Sequence, residues 1–60
     1  MFEYSTAAKN IQVSTMEGND AEELDALTNY WLNNNKEVQV YNITFNNAEK
    51  PTIMIVHKPI

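Results

Sequence analysis

Over residues 10–16 apolar and polar positions alternate, with Ile11, Val13 and Thr15 on one side and Gln12 and Ser14 on the other. That period of two predicts a short strand. Glu17-Gly18-Asn19-Asp20 interrupts it with the only glycine in the chain, a turn signal. From Asp20 the period becomes helical: at about 100° per residue, Ala21, Leu24, Leu27, Thr28, Trp31 and Leu32 form one continuous stripe. Glu22, Asp25, Asn29 and Asn33 lie opposite it. Asn19 or Asp20 can cap the start, each with a glutamate three residues on, as in a capping box. Asn33-Asn34-Asn35 ends the helix, and asparagine tolerates the left-handed conformation used by many C-terminal caps. The spacing therefore predicts an amphipathic helix over 20–33, about 20 Å long.

Residues 37–46 and 52–58 are rich in β-branched and aromatic side chains and predict two further strands. The polar stretch Asn46-Asn47-Ala48-Glu49-Lys50-Pro51 between them suits a hairpin loop. Residues 1–9 lack a clear period and read as a flexible lead-in or edge element, with Phe2 and Tyr4 as possible anchors. The expected fold is therefore α+β, a single small domain over 10–60 in the order strand-helix-strand-strand. Its sheet is expected to be mixed and three-stranded, the first two strands joined in parallel by a right-handed crossover, with the helix packed on one face.

Strand periodicity then raises a question of coverage. Tyr41, Ile43 and Phe45 share one face of the second strand, while Val38 and Val40 share the other. In the third strand Ile53 and Ile55 oppose Met54 and Val56. Both faces of the hairpin are apolar, and one helix about 10 Å across covers only one of them. Either something covers the second face, or a β-bulge near Val40–Tyr41 turns Val38, Val40, Tyr41 and Ile43 toward one side. The lead-in is another possible cover. The first reading makes Val38, Val40, Met54 and Val56 an interface, and Tyr30, off the helical stripe beside Ala26 and Glu23, a further contact residue.

Composition narrows the possibilities. The chain has 60 residues, 43% of them hydrophobic, and no cysteine. The hydrophobic fraction argues against disorder, and the lack of cysteine excludes disulfides, thiolate metal sites and a cysteine nucleophile. A core this small usually needs help, and self-association is the route left. Four lysines and no arginine face eight carboxylates, for a net charge of −4; a nucleic-acid backbone binder needs a basic face. No apolar run approaches a membrane span, and the N-terminus shows no basic-then-apolar signal pattern. The expected setting is cytoplasmic, with no membrane or nucleic-acid partner.

The candidate chemistry is sparse. His57 is the only histidine, so any acid–base reaction near neutral pH passes through it. A serine triad would need Ser5 or Ser14 with it, and Asp20 or Asp25, none in a recognisable nucleophile setting. A histidine in an edge strand near a C-terminus is more commonly a solvated surface residue, and no catalytic residue, cofactor, metal ion or small-molecule substrate is expected. Glu17, Asp20, Glu22, Glu23 and Asp25 place five carboxylates within nine residues. They lack calcium-loop spacing and serve first to stabilise a helix N-terminus. Glu22, Glu23 and Asp25 could also present an acidic surface to a basic partner, as a phosphate-mimicking inhibitor or decoy does.

Ile11-Gln12-Val13, Glu17-Gly18-Asn19-Asp20-Ala21-Glu22-Glu23-Leu24, Asn29-Tyr30-Trp31-Leu32 and the aliphatic close Ile53-Met54-Ile55-Val56-His57-Lys58 together resemble the small acidic Cse-type sporulation proteins of Gram-positive bacteria and their phages. The likeness covers residues 10–58. It implies a bacterial or phage cytoplasmic setting and supplies no catalytic residue. The expectation is a non-enzymatic protein-interaction module, a homodimer through the sheet face the helix leaves bare, with an acidic decoy as the alternative.

Overall fold

A computed structural model describes residues 6–47 and 49–60. The expectations for Phe2, Tyr4 and Ser5 lie outside the described residues. A single 3-10 turn at Ala8–Asn10 leads into strand β1, Gln12–Glu17. Helix α1 spans Ala21–Asn34, and strands β2, Val40–Asn47, and β3, Pro51–His57, complete the chain. The order strand-helix-strand-strand and the α+β class are as the periodicity predicts.

The sheet differs from expectation in its pairing. Its order is β1-β3-β2, and both neighbouring pairs are antiparallel. The first two strands do run in the same direction, but β3 lies between them, so the sheet is antiparallel throughout rather than mixed. The short loop holds β2 and β3 together as a hairpin. The unbroken apolar run Ile53-Met54-Ile55-Val56 then makes β3 the best-suited central strand, since a central strand has neighbours on both edges and apolar groups on both faces.

The start of the helix is built as a capping box. Asp20 Oδ1 accepts the Glu23 backbone N–H at 2.8 Å, and Glu23 Oε1 accepts that of Asn19 at 2.7 Å. The far end departs from the expected left-handed cap: no described non-glycine residue has positive φ. Side-chain amides take over, with Asn34 Nδ2 donating to Tyr30 O at 2.8 Å and Asn35 Nδ2 to Trp31 O at 2.7 Å. Asparagine serves here through its amide hydrogens, which satisfy carbonyls that the last helical turn leaves open.

Three residues link β1 to α1, so the helix starts over β1 and contacts β1 and β3. Leu24 and Ile55 are the buried apolar residues beneath it, joined by Thr28, whose hydroxyl donates to Leu24 O at 2.8 Å. Trp31 and Leu32 are half-buried, whereas Ala21 and Leu27 at the margins of the predicted stripe are exposed. On the sheet side, register places Gln12, Ser14 and Met16 with His57, Ile55 and Ile53 on the helix-covered face. Val13, Thr15, Met54 and Val56 fall on the opposite face.

Strand β2 carries the bulge. Val40 pairs with His57 but Asn42 pairs with Val56, a register shift of one residue around Tyr41. That shift puts Val40 on the same face as Ile43 and Phe45, beside Ile55 and Ile53. The Tyr41 hydroxyl reaches past β3 to donate to Asn10 O at 3.3 Å, linking the outer strand to the entry of β1.

Candidate functional site

Two features of the described residues could carry function: a buried polar pair under the helix and a sheet surface beyond it. The pair is Ser14 and His57. They lie on neighbouring strands of the covered face, with Ser14 Oγ 2.8 Å from His57 Nε2. His57 Nδ1 is 2.8 Å from Lys58 O. A carbonyl only accepts, so Nδ1 carries the proton in the neutral ring, and the Ser14 hydroxyl donates to Nε2. Trp31 closes the third side, its ring centroid 4.9 Å from that of the imidazole at a tilt of 53°.

A hydroxyl, an imidazole and an orienting acceptor in this order are the parts of an activated serine nucleophile. Access is what the arrangement lacks. The imidazole is 0% exposed, and no pocket opens among the described residues. Asp20 and Asp25, the carboxylates considered for a triad, belong to the helix N-terminus; the Lys58 carbonyl fills the orienting position instead. The expectation of a solvated edge-strand residue for His57 is overturned: the residue is buried and lies on the central strand. β3 is central, and His57 continues the inward series Ile53, Ile55. The same-parity spacing of those three residues was the signal for its burial. No group of three or more His, Cys, Asp or Glu among the described residues could hold a metal ion, and no described helix is long and apolar enough to cross a membrane.

The expected interface set is divided by the sheet. Met54 and Val56 point away from the helix, whereas the bulge turns Val40 to the helix side. Val38 precedes β2 in the turn after the helix, half-buried, its N–H bonded to Asn35 O at 3.0 Å. These four residues therefore form no common patch. Tyr30 is exposed as expected, at 71%. Of the acidic trio, all exposed, Glu23 is committed to the helix cap.

The apolar surface that remains open lies elsewhere. Away from the helix, Val13 and Met54 are exposed, but β2 presents Asn42, Thr44 and Asn46 beside them, so that face is apolar along β1 and β3 only. On the helix side, Ile43 and Phe45 stand beyond the reach of α1, at 45% and 57% exposure. Strands about 4.8 Å apart place β1 and β2 roughly 10 Å from one another. A helix about 10 Å wide centred over β1 and β3 leaves the β2 margin uncovered.

Backbone hydrogen bonds show that, among the described residues, β2 is also an open edge. Gly18 N–H donates to Pro51 O at 3.0 Å, and Lys58 N–H to Gln39 O at 2.9 Å. Antiparallel strands direct alternate residues to alternate sides. Positions 51, 53, 55 and 57 of β3 thus face β1, and 52, 54 and 56 face β2. Their partners Asn46, Thr44 and Asn42 bond inward, so the N–H and C=O groups of Ile43 and Phe45 point outward. The sequence held this signal in the run Val38–Asn47, ten residues without charge, proline or glycine.

No protein-family model, curated protein or solved structure matches the chain.

Proposed function

We propose that this protein is a non-enzymatic protein-interaction module that self-associates through sheet surface its helix leaves uncovered. The observation that carries the reading is the β2 margin, where two exposed apolar side chains, Ile43 and Phe45, coincide with a strand edge that pairs with no other strand among the described residues. Natural sheets blunt such edges with lysine, proline, bulges or cover; the single bulge in β2 lies at Tyr41, ahead of Ile43. The burial of His57 and the lack of a pocket among the described residues favour binding over turnover. The likeness of residues 10–58 to the Cse-type proteins fits a non-enzymatic bacterial or phage protein, and no residue role rests on it.

The test is the mass of the protein in solution, by light scattering on a sizing column across a wide concentration range. A dimer that dissociates on dilution is the expected result. A strictly monomeric mass at ~10 to ~500 µM, a range that would reveal any contact of useful affinity, removes self-association. The acidic alternative predicts capture of a basic protein through Glu22, Glu23 and Asp25, weakening steeply with salt.

A further inference from the structure

We infer that the partner is a second copy of this chain docked strand to strand: β2 pairs antiparallel with β2 of that copy, Thr44 opposite Thr44, joining two sheets into six strands. The inference rests on the self-association just proposed and specifies its contact.

Three features of β2 converge on this occupant. The first is hydrogen-bond direction: Ile43 and Phe45 present outward N–H and C=O groups at alternate positions, which an antiparallel copy of the same strand complements. The second is symmetry. A twofold axis perpendicular to the sheet keeps each face on its own side, so only residues of like face can oppose one another. Centred on Thr44, the pairing sets Ile43 against the copy's Phe45 twice on the helix side, and Asn42 against Asn46 twice on the other. Residues 42–46 of both strands remain clear of the bulge at Tyr41.

The third feature is charge. Lys36-Glu37 lies in the turn before β2 and Glu49-Lys50 in the loop after it, so antiparallel copies bring one mixed-charge pair near the other, whereas a parallel pairing would stack like on like. The other edge, β1, is the poorer candidate: its outward positions Val13, Thr15 and Glu17 end in a charge.

The chain has no cysteine, which makes a single introduced thiol a clean reporter. Because Thr44 bonds inward to β3, it would face its copy as a non-hydrogen-bonded pair with Cα atoms about 4.5 Å apart, within disulfide range. Thr44→Cys is expected to form the intermolecular disulfide at least about tenfold faster than Val13→Cys, since the interface raises the local thiol concentration far above bulk. Phe45→Lys, at an exposed side chain, is expected to leave the circular dichroism spectrum unchanged and the mass monomeric.

A dimeric mass with no cross-linking advantage for Thr44→Cys rejects the β2 contact while self-association stands. A dimeric mass retained by folded Phe45→Lys does the same. If Phe45→Lys fails to fold, the ratio of cross-linking rates decides alone. A wild-type monomer at every concentration overturns both this contact and the function it specifies.

Discussion

At the scale of single residues, His57 changes meaning once its neighbours are known. Its imidazole has no solvent access, and both ring nitrogens are engaged, one by the Ser14 hydroxyl and one by the Lys58 carbonyl. No buried side-chain nitrogen or oxygen among the described residues lacks a partner. The pair is therefore a polar joint between β1 and β3 beneath Trp31. Burying an imidazole is tolerable only while each nitrogen is satisfied. Ser14→Ala would leave Nε2 unsatisfied and is expected to destabilise the fold by about 1–3 kcal/mol. His57→Phe keeps a ring against Trp31 but orphans the Ser14 hydroxyl. Combining the two removes both polar groups, so the double variant should lose less than the sum of the singles, by ~0.5–3 kcal/mol. Urea denaturation of the four proteins measures this, and strict additivity would mean that the bond holds nothing together.

At the scale of elements, the junction of β1 and α1 rests on Gly18. Its φ is unremarkable, since no described glycine has positive φ, so conformational freedom is not the reason for glycine here. Space is the reason. A Cβ at Gly18 would lie 2.8 Å from the Leu24 backbone nitrogen and 3.0 Å from Leu24 Cα, against helix backbone that cannot step aside. The same residue gives its N–H to Pro51 O, so moving it would also disturb the start of β3. Gly18→Ala is expected to cost about 1–3 kcal/mol through overpacking, read as a lower urea midpoint with the slope unchanged. An unchanged midpoint would mean that the helix start is free to shift.

The elements themselves were legible in the sequence because their periods are local properties. The helix is offset by one residue from the predicted 20–33, and Asp20 is the cap that Glu23 implied. Strand order was not legible. The loop made β2 and β3 a hairpin but carried no instruction about which of them would adjoin β1; that depends on the apolar run of β3 competing for the centre of the sheet. The bulge was legible only as an alternative, because a one-residue slip leaves composition unchanged while exchanging faces. The expected interface failed as a patch for that reason: Val40 crossed to the helix side, and the exposed apolar pair became Ile43 and Phe45.

At the scale of the whole molecule, the shape itself departs from that of a finished domain. The extents are 34 × 27 × 13 Å and the radius of gyration is 12.2 Å, against about 10 Å for a compact chain of sixty residues. One helix over two of three strands leaves a thin slab whose buried side chains, among the described residues, are Leu24, Ile55, Thr28 and His57. A core this small contributes little stability by itself, so association should supply a measurable share of it. For a dimer that unfolds to separate chains, stability rises with concentration by mass action. A hundredfold increase in protein is worth about 1.4 kcal/mol per chain, which for a domain this size moves Tm by roughly 5–10 °C. Thermal unfolding followed by circular dichroism at low and high concentration measures that slope directly. Phe45→Lys should flatten it, because a monomer unfolds at a temperature independent of concentration. A wild-type Tm that stays constant across the same range would show that the slab is stable alone, and the exposed β2 margin would then add nothing to its stability.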